Sequence, residues 1–191
     1  MARKRIRDLD AQASITSTLK LAVDDTSLPE AKRISISQLD ARYGAVGAPC
    51  YLEWFQVTGS HVSPIATQNV FELLNVTAAT VGVSSSSCLT ATAQGRVTNT
   101  GASAVFRVQA NISVSGTNNE DIHIAVGLNG SVLAKSAQSA IMASGNKDTG
   151  IVSQCLVTLN TNEYVEIFVM NATSANSVTL GEANVIVEKI G

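Results

Sequence analysis

Apolar and polar residues alternate along most of the second half of the chain. The clearest run is VFRVQANISVSG, in which Phe106, Val108, Ala110, Ile112 and Val114 occupy every second position. Successive side chains of a β-strand point to opposite faces of the sheet, so this run predicts a strand of about ten residues with one buried face.

A second alternating run is followed by a strong turn signal. Ile122, Ile124, Val126 and Leu128 share one face, and Asn129-Gly130 comes directly after them. Both turn residues tolerate a positive φ, which a two-residue hairpin turn requires. The sequence therefore predicts a β-hairpin, with Val132 and Ala134 on the returning strand.

Other segments rich in β-branched residues predict further strands, whereas helical spacing is weak throughout. We expect strands at 50–57, 69–76, 151–159, 164–171 and 183–190, a weaker one at 88–98, and a loop or irregular edge at 81–88. Short strands separated by Gly, Ser, Asn and Thr turns are typical of all-β, antiparallel two-sheet sandwiches, among them jelly rolls.

Charge divides the chain into two regions. Residues 1–44 hold 8 basic and 6 acidic side chains, whereas residues 45–191 hold 5 and 9. The segment GAVGAP spans 44–49 and has the composition of a linker. We therefore predict an extended N-terminal arm (1–44), a linker (45–49) and a β domain (50–191).

The chain as a whole is low in charge. Only 15% of residues are charged, against about a quarter in typical domains. This low content favours a surface that is covered by partners.

Cys50, Cys88 and Cys155 are odd in number and widely spaced. This spacing argues against a disulfide framework and against a zinc site, so we expect buried free thiols.

No apolar run reaches the roughly 18 residues of a membrane span, and no apolar leader follows the start, so we expect synthesis in a cytoplasm and no membrane partner.

Candidate catalytic chemistry is sparse. His61, expected in a loop, and His123, expected on the polar face of a strand, have no ligand or catalytic partner at useful spacing. Glu120 and Asp121 follow two asparagines, which gives only part of a calcium loop, and we expect these carboxylates to be solvated. We therefore predict a protein that is not an enzyme, with no cofactor and no metal.

The basic start of the chain raises the question of nucleic-acid binding. The sequence pI is about 5.6, and an acidic domain opposes tracking of phosphates. The cluster itself is interrupted at once by Asp8 and Asp10. We expect no nucleic-acid partner and interpret the cluster as part of a docking segment, formed by Arg3, Lys4, Arg5 and Arg7.

The arm resembles an attachment segment at the front of many tailed-bacteriophage virion proteins. The resemblance is carried by IRDLDAQASI, LKLAVDD and AKRISISQLDARYG, although LPEAKR replaces the short Gly-containing turn that is common there. It implies docking on a major capsid or other virion protein through the basic cluster and through apolar positions Ile6, Leu9, Leu21, Val23, Ile34, Ile36 and Leu39.

The domain resembles the tumour necrosis factor and complement-type jelly roll, which phages also use. FRVQANISVS, IHIAVGLNGSVLAKS and the segment from Leu156 to Gly191 carry this resemblance. It implies a homotrimer built around a threefold axis, with Tyr164, Phe168 and Val187 as candidates for core or axis-facing positions.

Together these resemblances imply a structural virion protein that decorates or cements a capsid or projects from it as a short trimeric head fibre. The alternative is a receptor-binding tip or short tail fibre whose distal loops bind a host-surface receptor. A depolymerase or hydrolase would need converging catalytic groups, and a cytokine-like ligand would need a secretion signal; both are disfavoured.

Overall fold

The computed structural model describes residues 21–22, 33–34, 49–57, 61–85, 88–143 and 148–190. The chain divides into two compact units, Met1–Gly47 and Ala48–Gly191. In the first unit, β1 (Leu21–Ala22) and β2 (Arg33–Ile34) pair in antiparallel register, with Leu21 opposite Ile34. The second unit, called the body below, contains the predicted strands.

One sheet of the body has the strand order β13-β9-β15-β3-β6, and β4 also pairs with β15. We call it the six-stranded sheet. Its strands are β3 (Tyr51–Gln56), β4 (His61–Ser63), β6 (Thr80–Ser84), β9 (Ala104–Ser115), β13 (Thr149–Leu159) and β15 (Val178–Lys189). All of its pairings are antiparallel.

The other sheet has the order β11-β10-β14-β8-β7, with β12 beside β10 and β5 beside β14. We call it the seven-stranded sheet. Its strands are β5 (Glu72–Leu73), β7 (Leu89–Ala91), β8 (Val97–Asn99), β10 (Asp121–Leu128), β11 (Ser131–Val132), β12 (Gln138–Ile141) and β14 (Tyr164–Asn171).

The core lies between the two sheets. Alternate residues of β9, including Phe106 and Val108, are buried there, and Trp54 is the largest fully buried side chain. Burial of one face of each long strand follows directly from the alternation in the sequence. The predicted all-β, two-sheet antiparallel architecture is confirmed.

The hairpin after β10 differs from the prediction beyond its turn. Asn129 and Gly130 have φ angles of 49° and 80°, as the turn requires. However, Ala134 lies in a 3-10 turn and not in the returning strand. There the buried Ser136 hydroxyl replaces backbone pairing, since its oxygen accepts the Val126 N–H at 2.8 Å.

Two other predicted strands are also broken. Residues 69–76 contribute only Glu72–Leu73 to a sheet, because Asn69 adopts a φ of 62° and the Asn75 N–H donates to the Ser63 side chain. Residues 88–98 form β7 and the start of β8 around Gly95, which has a φ of 76°.

The expectation of three free thiols is wrong. Cys50 and Cys88 form a disulfide, with their Cα atoms 5.9 Å apart, and only Cys155 is free. Sequence spacing cannot reveal this pair, because the fold brings together two cysteines that are 38 positions apart.

Candidate interaction surfaces

The outward face of the six-stranded sheet carries few charges. Two rows of side chains cross it from β13 to β3, and the strand register places amides in both. The first row is Val152, Asn111, Asn184 and Phe55, and the second is Gln154, Gln109, Ile186 and Glu53.

Two carboxylates and the guanidinium of this face have partners within it. The Asn184 side chain donates to Glu53 at 2.6 Å, and Arg107 forms an ion pair with Glu188. Pairing lowers the cost of removing these charges from water. The described part of the face therefore combines amides with two paired sets of charges, whereas Glu182 of β15 is an exposed carboxylate.

Exposed apolar side chains lie on both flanks of this face. Directly after β3, Val57 is 60% exposed, and on the edge strand β13 Val152 and Leu156 are 54% and 51% exposed. Val62 on β4 extends the first flank. Clustered exposed apolar side chains are typical of surfaces that bind a protein.

A groove of about 370 Å³ opens at one end of the same face. Phe55, Val57, Asn111 and Val152 are among its lining residues. The space beside Gly150 is open, because a Cβ atom added there would meet nothing within 4 Å. The groove therefore has room for a side chain from another molecule.

A different cluster lies on the outward face of the seven-stranded sheet. The Arg96 guanidinium lies 3.9 Å from the centre of the Tyr164 ring and 3.2 Å from a carboxylate oxygen of Glu166. Glu166 is buried and Arg96 is partly exposed. Stacking and pairing hold the three groups in one arrangement.

The three predicted core or axis candidates lie in different surroundings. Val187 faces the core and is fully buried. Phe168 lies on the outward face of the seven-stranded sheet and packs on Gly127. Tyr164 lies under Arg96 on that same face. These three side chains do not lie on the outward face of the six-stranded sheet.

Glu120 is buried, contrary to the expected solvated loop. Its carboxylate accepts hydrogen bonds from the Ser174 hydroxyl at 2.5 Å, the Asn176 amide at 2.7 Å and the Thr117 N–H at 2.9 Å. Burial raises the pKa of this carboxyl, but the hydrogen bonds together lower the pKa by more. The pKa of Glu120 therefore lies below the ordinary value. Its two oxygens therefore accept from three donors of the surrounding turns.

The two histidines serve local hydrogen bonds. His61 lies in β4, not in the expected loop, and its Nδ1 is 2.7 Å from the Thr77 hydroxyl. His123 lies in β10 as predicted, with Nε2 3.1 Å from Asp121. No group of three or more His, Cys, Asp and Glu within the described segments has metal-binding geometry.

The predicted docking positions fall mostly outside the described residues. Leu21 and Ile34 are paired through the backbone of β1 and β2. The others lie outside the described ranges: Arg3, Lys4, Arg5, Ile6, Arg7, Leu9, Val23, Ile36 and Leu39. Among the residues with described structure, no helix has the length and apolarity needed to cross a membrane.

No family model matches the sequence, and no curated protein matches it. The fold, however, resembles solved jelly rolls. The PRD1 vertex protein P5 has 16% identity and a TM-score of 0.50, over 76% of this chain and 99% of that one. The globular domain of zebrafish complement 1qA protein has 9% identity and a TM-score of 0.49, over 75% of this chain and 98% of that one.

Eiger TNF from S. frugiperda has 15% identity and a TM-score of 0.48, over 75% of this chain and 94% of that one. At these identities the likeness concerns the fold. The body thus resembles jelly rolls of the tumour necrosis factor and complement type, as the resemblance in its sequence had implied.

Proposed function

We propose that this chain is a non-enzymatic structural protein of a bacteriophage virion. It assembles as a homotrimer, and it decorates or cements the capsid or projects from it as a short head fibre. Residues 1–44 dock on the major capsid protein or another virion protein. The body provides the trimer and the outer surface.

The observation that carries the trimer is the outward face of the six-stranded sheet. Its amides, paired charges and exposed apolar flanks match the composition expected of a surface that a second copy covers. Depletion of unpaired charge at the centre of the face lowers the desolvation cost of association.

The arrangement of the two flanks favours a ring over a twofold dimer. Val152 and Leu156 lie on β13 at one edge, whereas Phe55 lies on β3 and Val57 directly after it, across β9 and β15. A contact between unlike flanks is heterologous and can close into a ring. The groove beside Gly150 provides space for a side chain of the neighbouring copy.

Attachment through the arm is supported by its sequence resemblance to phage attachment segments. Three arms from one trimer bind together, so weak single contacts add through a high effective concentration. The fold shared with a vertex protein of phage PRD1 supports a place in a virion. This docking bridges neighbouring capsid subunits and so resists internal pressure.

Oligomeric state tests the trimer directly. Light scattering of the purified full chain should give three chain masses. Asn111→Arg and Gly150→Leu should yield folded monomers, because they place charge or bulk on the outward face of the six-stranded sheet. Thr90→Arg, at an exposed position of β7 in the other sheet, should remain trimeric. A monomeric parent protein would overturn the trimer.

Binding to particles tests the virion role. The full chain should co-sediment with capsids that lack it, and a chain without residues 1–44 should stay in solution. Retained binding without the arm would contradict docking through it. Competition by the purified protein for infection of host cells would instead favour the receptor-binding tip or tail fibre.

A further inference from the structure

The Cys50–Cys88 disulfide joins the two sheets at the point where the chain enters the body. Cys50 follows Pro49 and directly precedes β3 of the six-stranded sheet. Cys88 directly precedes β7 of the seven-stranded sheet. A pull on the N-terminal arm therefore reaches the body at a residue that is covalently linked to both sheets.

Each cysteine is also fixed to its own sheet by the backbone. The Cys50 carbonyl accepts the Lys189 N–H at 2.7 Å, and the Cys88 carbonyl accepts the Thr100 N–H at 2.8 Å. The Gly101 position lies so close that an added Cβ would be 3.0 Å from the Cys88 Cβ. Both cysteines are thus fixed to their sheets by backbone hydrogen bonds. A force on Cys50 is therefore transmitted through the disulfide to Cys88.

We infer that this disulfide is a redox-dependent clamp that transfers tension from the arm to the second sheet. The inference rests on the proposed function, since tension arises only if the arm anchors the body to a particle. With the bond closed, residues 51–87 lie outside the path of the force. With the bond open, tension acts on β3 alone and draws it away from β15 and β6.

The clamp closes by thiol–disulfide exchange with a low-molecular-weight disulfide. Cys88 is partly exposed and Cys50 is buried, so the Cys88 thiolate attacks first and displaces one thiolate of the oxidant. The Cys50 thiolate then attacks the mixed disulfide at the Cys88 sulfur and displaces the second. The two cysteines lose two protons and two electrons, and the oxidant becomes two thiols.

The exchange links the mechanical state of the body to its surroundings. A reducing cytoplasm keeps thiols free, whereas oxidising surroundings outside a cell keep disulfides closed. The clamp is therefore open during synthesis and closes after release, when the particle meets external forces.

Single-molecule force spectroscopy on the full chain tests the clamp. One handle is attached at Met1 and the other at a click-reactive residue replacing Asn118, in the exposed turn between β9 and β10. The reduced protein should release residues 51–87 in an early, low-force event. In the oxidised protein the disulfide prevents these residues from extending. The measured extension should therefore be shorter by about 130 Å, the extended length of 38 residues. The first rupture of the oxidised protein should also need a higher force.

Two cysteine variants separate the clamp from general effects of reductant. Cys88→Ser should behave like the reduced protein under both conditions, and Cys155→Ser should behave like the parent. Equal rupture forces in the oxidised and reduced parent would overturn the clamp, as would three titratable thiols in the oxidised, denatured chain. Loss of particle binding with the force difference intact would instead contradict the proposed function, leaving the clamp as a property of the body.

Discussion

The Phe168 ring packs against Gly127 on the neighbouring strand. A Cβ atom at position 127 would lie 2.7 Å from Cδ2 of that ring. Phe168 is 8% exposed although it lies outside the inter-sheet core. The absence of a side chain at Gly127 thus allows a large aromatic ring to cover the outer face of the seven-stranded sheet.

Gly127→Ala should destabilise the body by about 1–3 kcal/mol, the usual cost of overpacking a well-filled site. Chemical denaturation gives the free energy of unfolding. Phe168→Leu should reduce the penalty of the alanine, so a double-mutant cycle should show coupling between the two positions. Additive effects would contradict the packing explanation.

Glu120 should make stability depend on acid pH. Its pKa is lowered in the folded state, so its contribution is complete above the ordinary glutamate pKa and is lost as the pH falls through the lowered value. The free energy of unfolding of Glu120→Gln should therefore lie below that of the parent at neutral pH, and the gap should narrow in acid. Glu72→Gln, at a partly exposed position of β5 in the seven-stranded sheet, is the matched control, and a gap independent of pH would contradict this role.

Local patterns predicted the elements whose structure is decided locally. The alternation from Phe106 to Val114 gave a strand with the expected buried face, because a period of two fits a sheet with one side in the core. The turn at Asn129-Gly130 was predicted because the required positive φ values restrict the residues that fit.

Features decided by distant partners were not predictable from the sequence. Glu120 is buried because donors arrive from Ser174 and Asn176, more than 50 positions away. Likewise, Asn111 lies beside Asn184 only through the register of β9 and β15. The alternation in the sequence predicted the polar face of β9, but it did not predict which residues of other strands lie beside that face. The low-charge outward face of the six-stranded sheet was therefore not predicted.

Loss of the Cys50–Cys88 bond should also lower equilibrium stability. Chain entropy for a separation of 38 residues amounts to about 4 kcal/mol, which corresponds to a melting temperature lower by roughly 10 °C. Calorimetry of Cys88→Ser against Cys155→Ser measures the difference. An unchanged melting temperature would mean that the bond does not constrain the unfolded chain as expected.

The arm should attach through both charge and apolar burial. Ile6→Asp with Leu9→Asp should abolish co-sedimentation with capsids, whereas neutralising Arg3, Lys4, Arg5 and Arg7 with glutamine should only weaken it. Moderate salt should likewise release only part of the bound protein, because burial of apolar surface is not screened. Complete release by moderate salt would show that charge alone holds the arm.

Arg96 should stabilise the body chiefly by pairing with the buried Glu166 carboxylate. Arg96→Met keeps most of the apolar stem but leaves that carboxylate without its cation, so we expect a loss of about 1–3 kcal/mol in the free energy of unfolding. Adding Glu166→Gln to Arg96→Met should recover much of the loss, because no buried charge then remains. Tyr164→Phe keeps the ring beneath Arg96 and should leave stability nearly unchanged, and a large effect of this control would assign the cluster's contribution to the tyrosine hydroxyl instead.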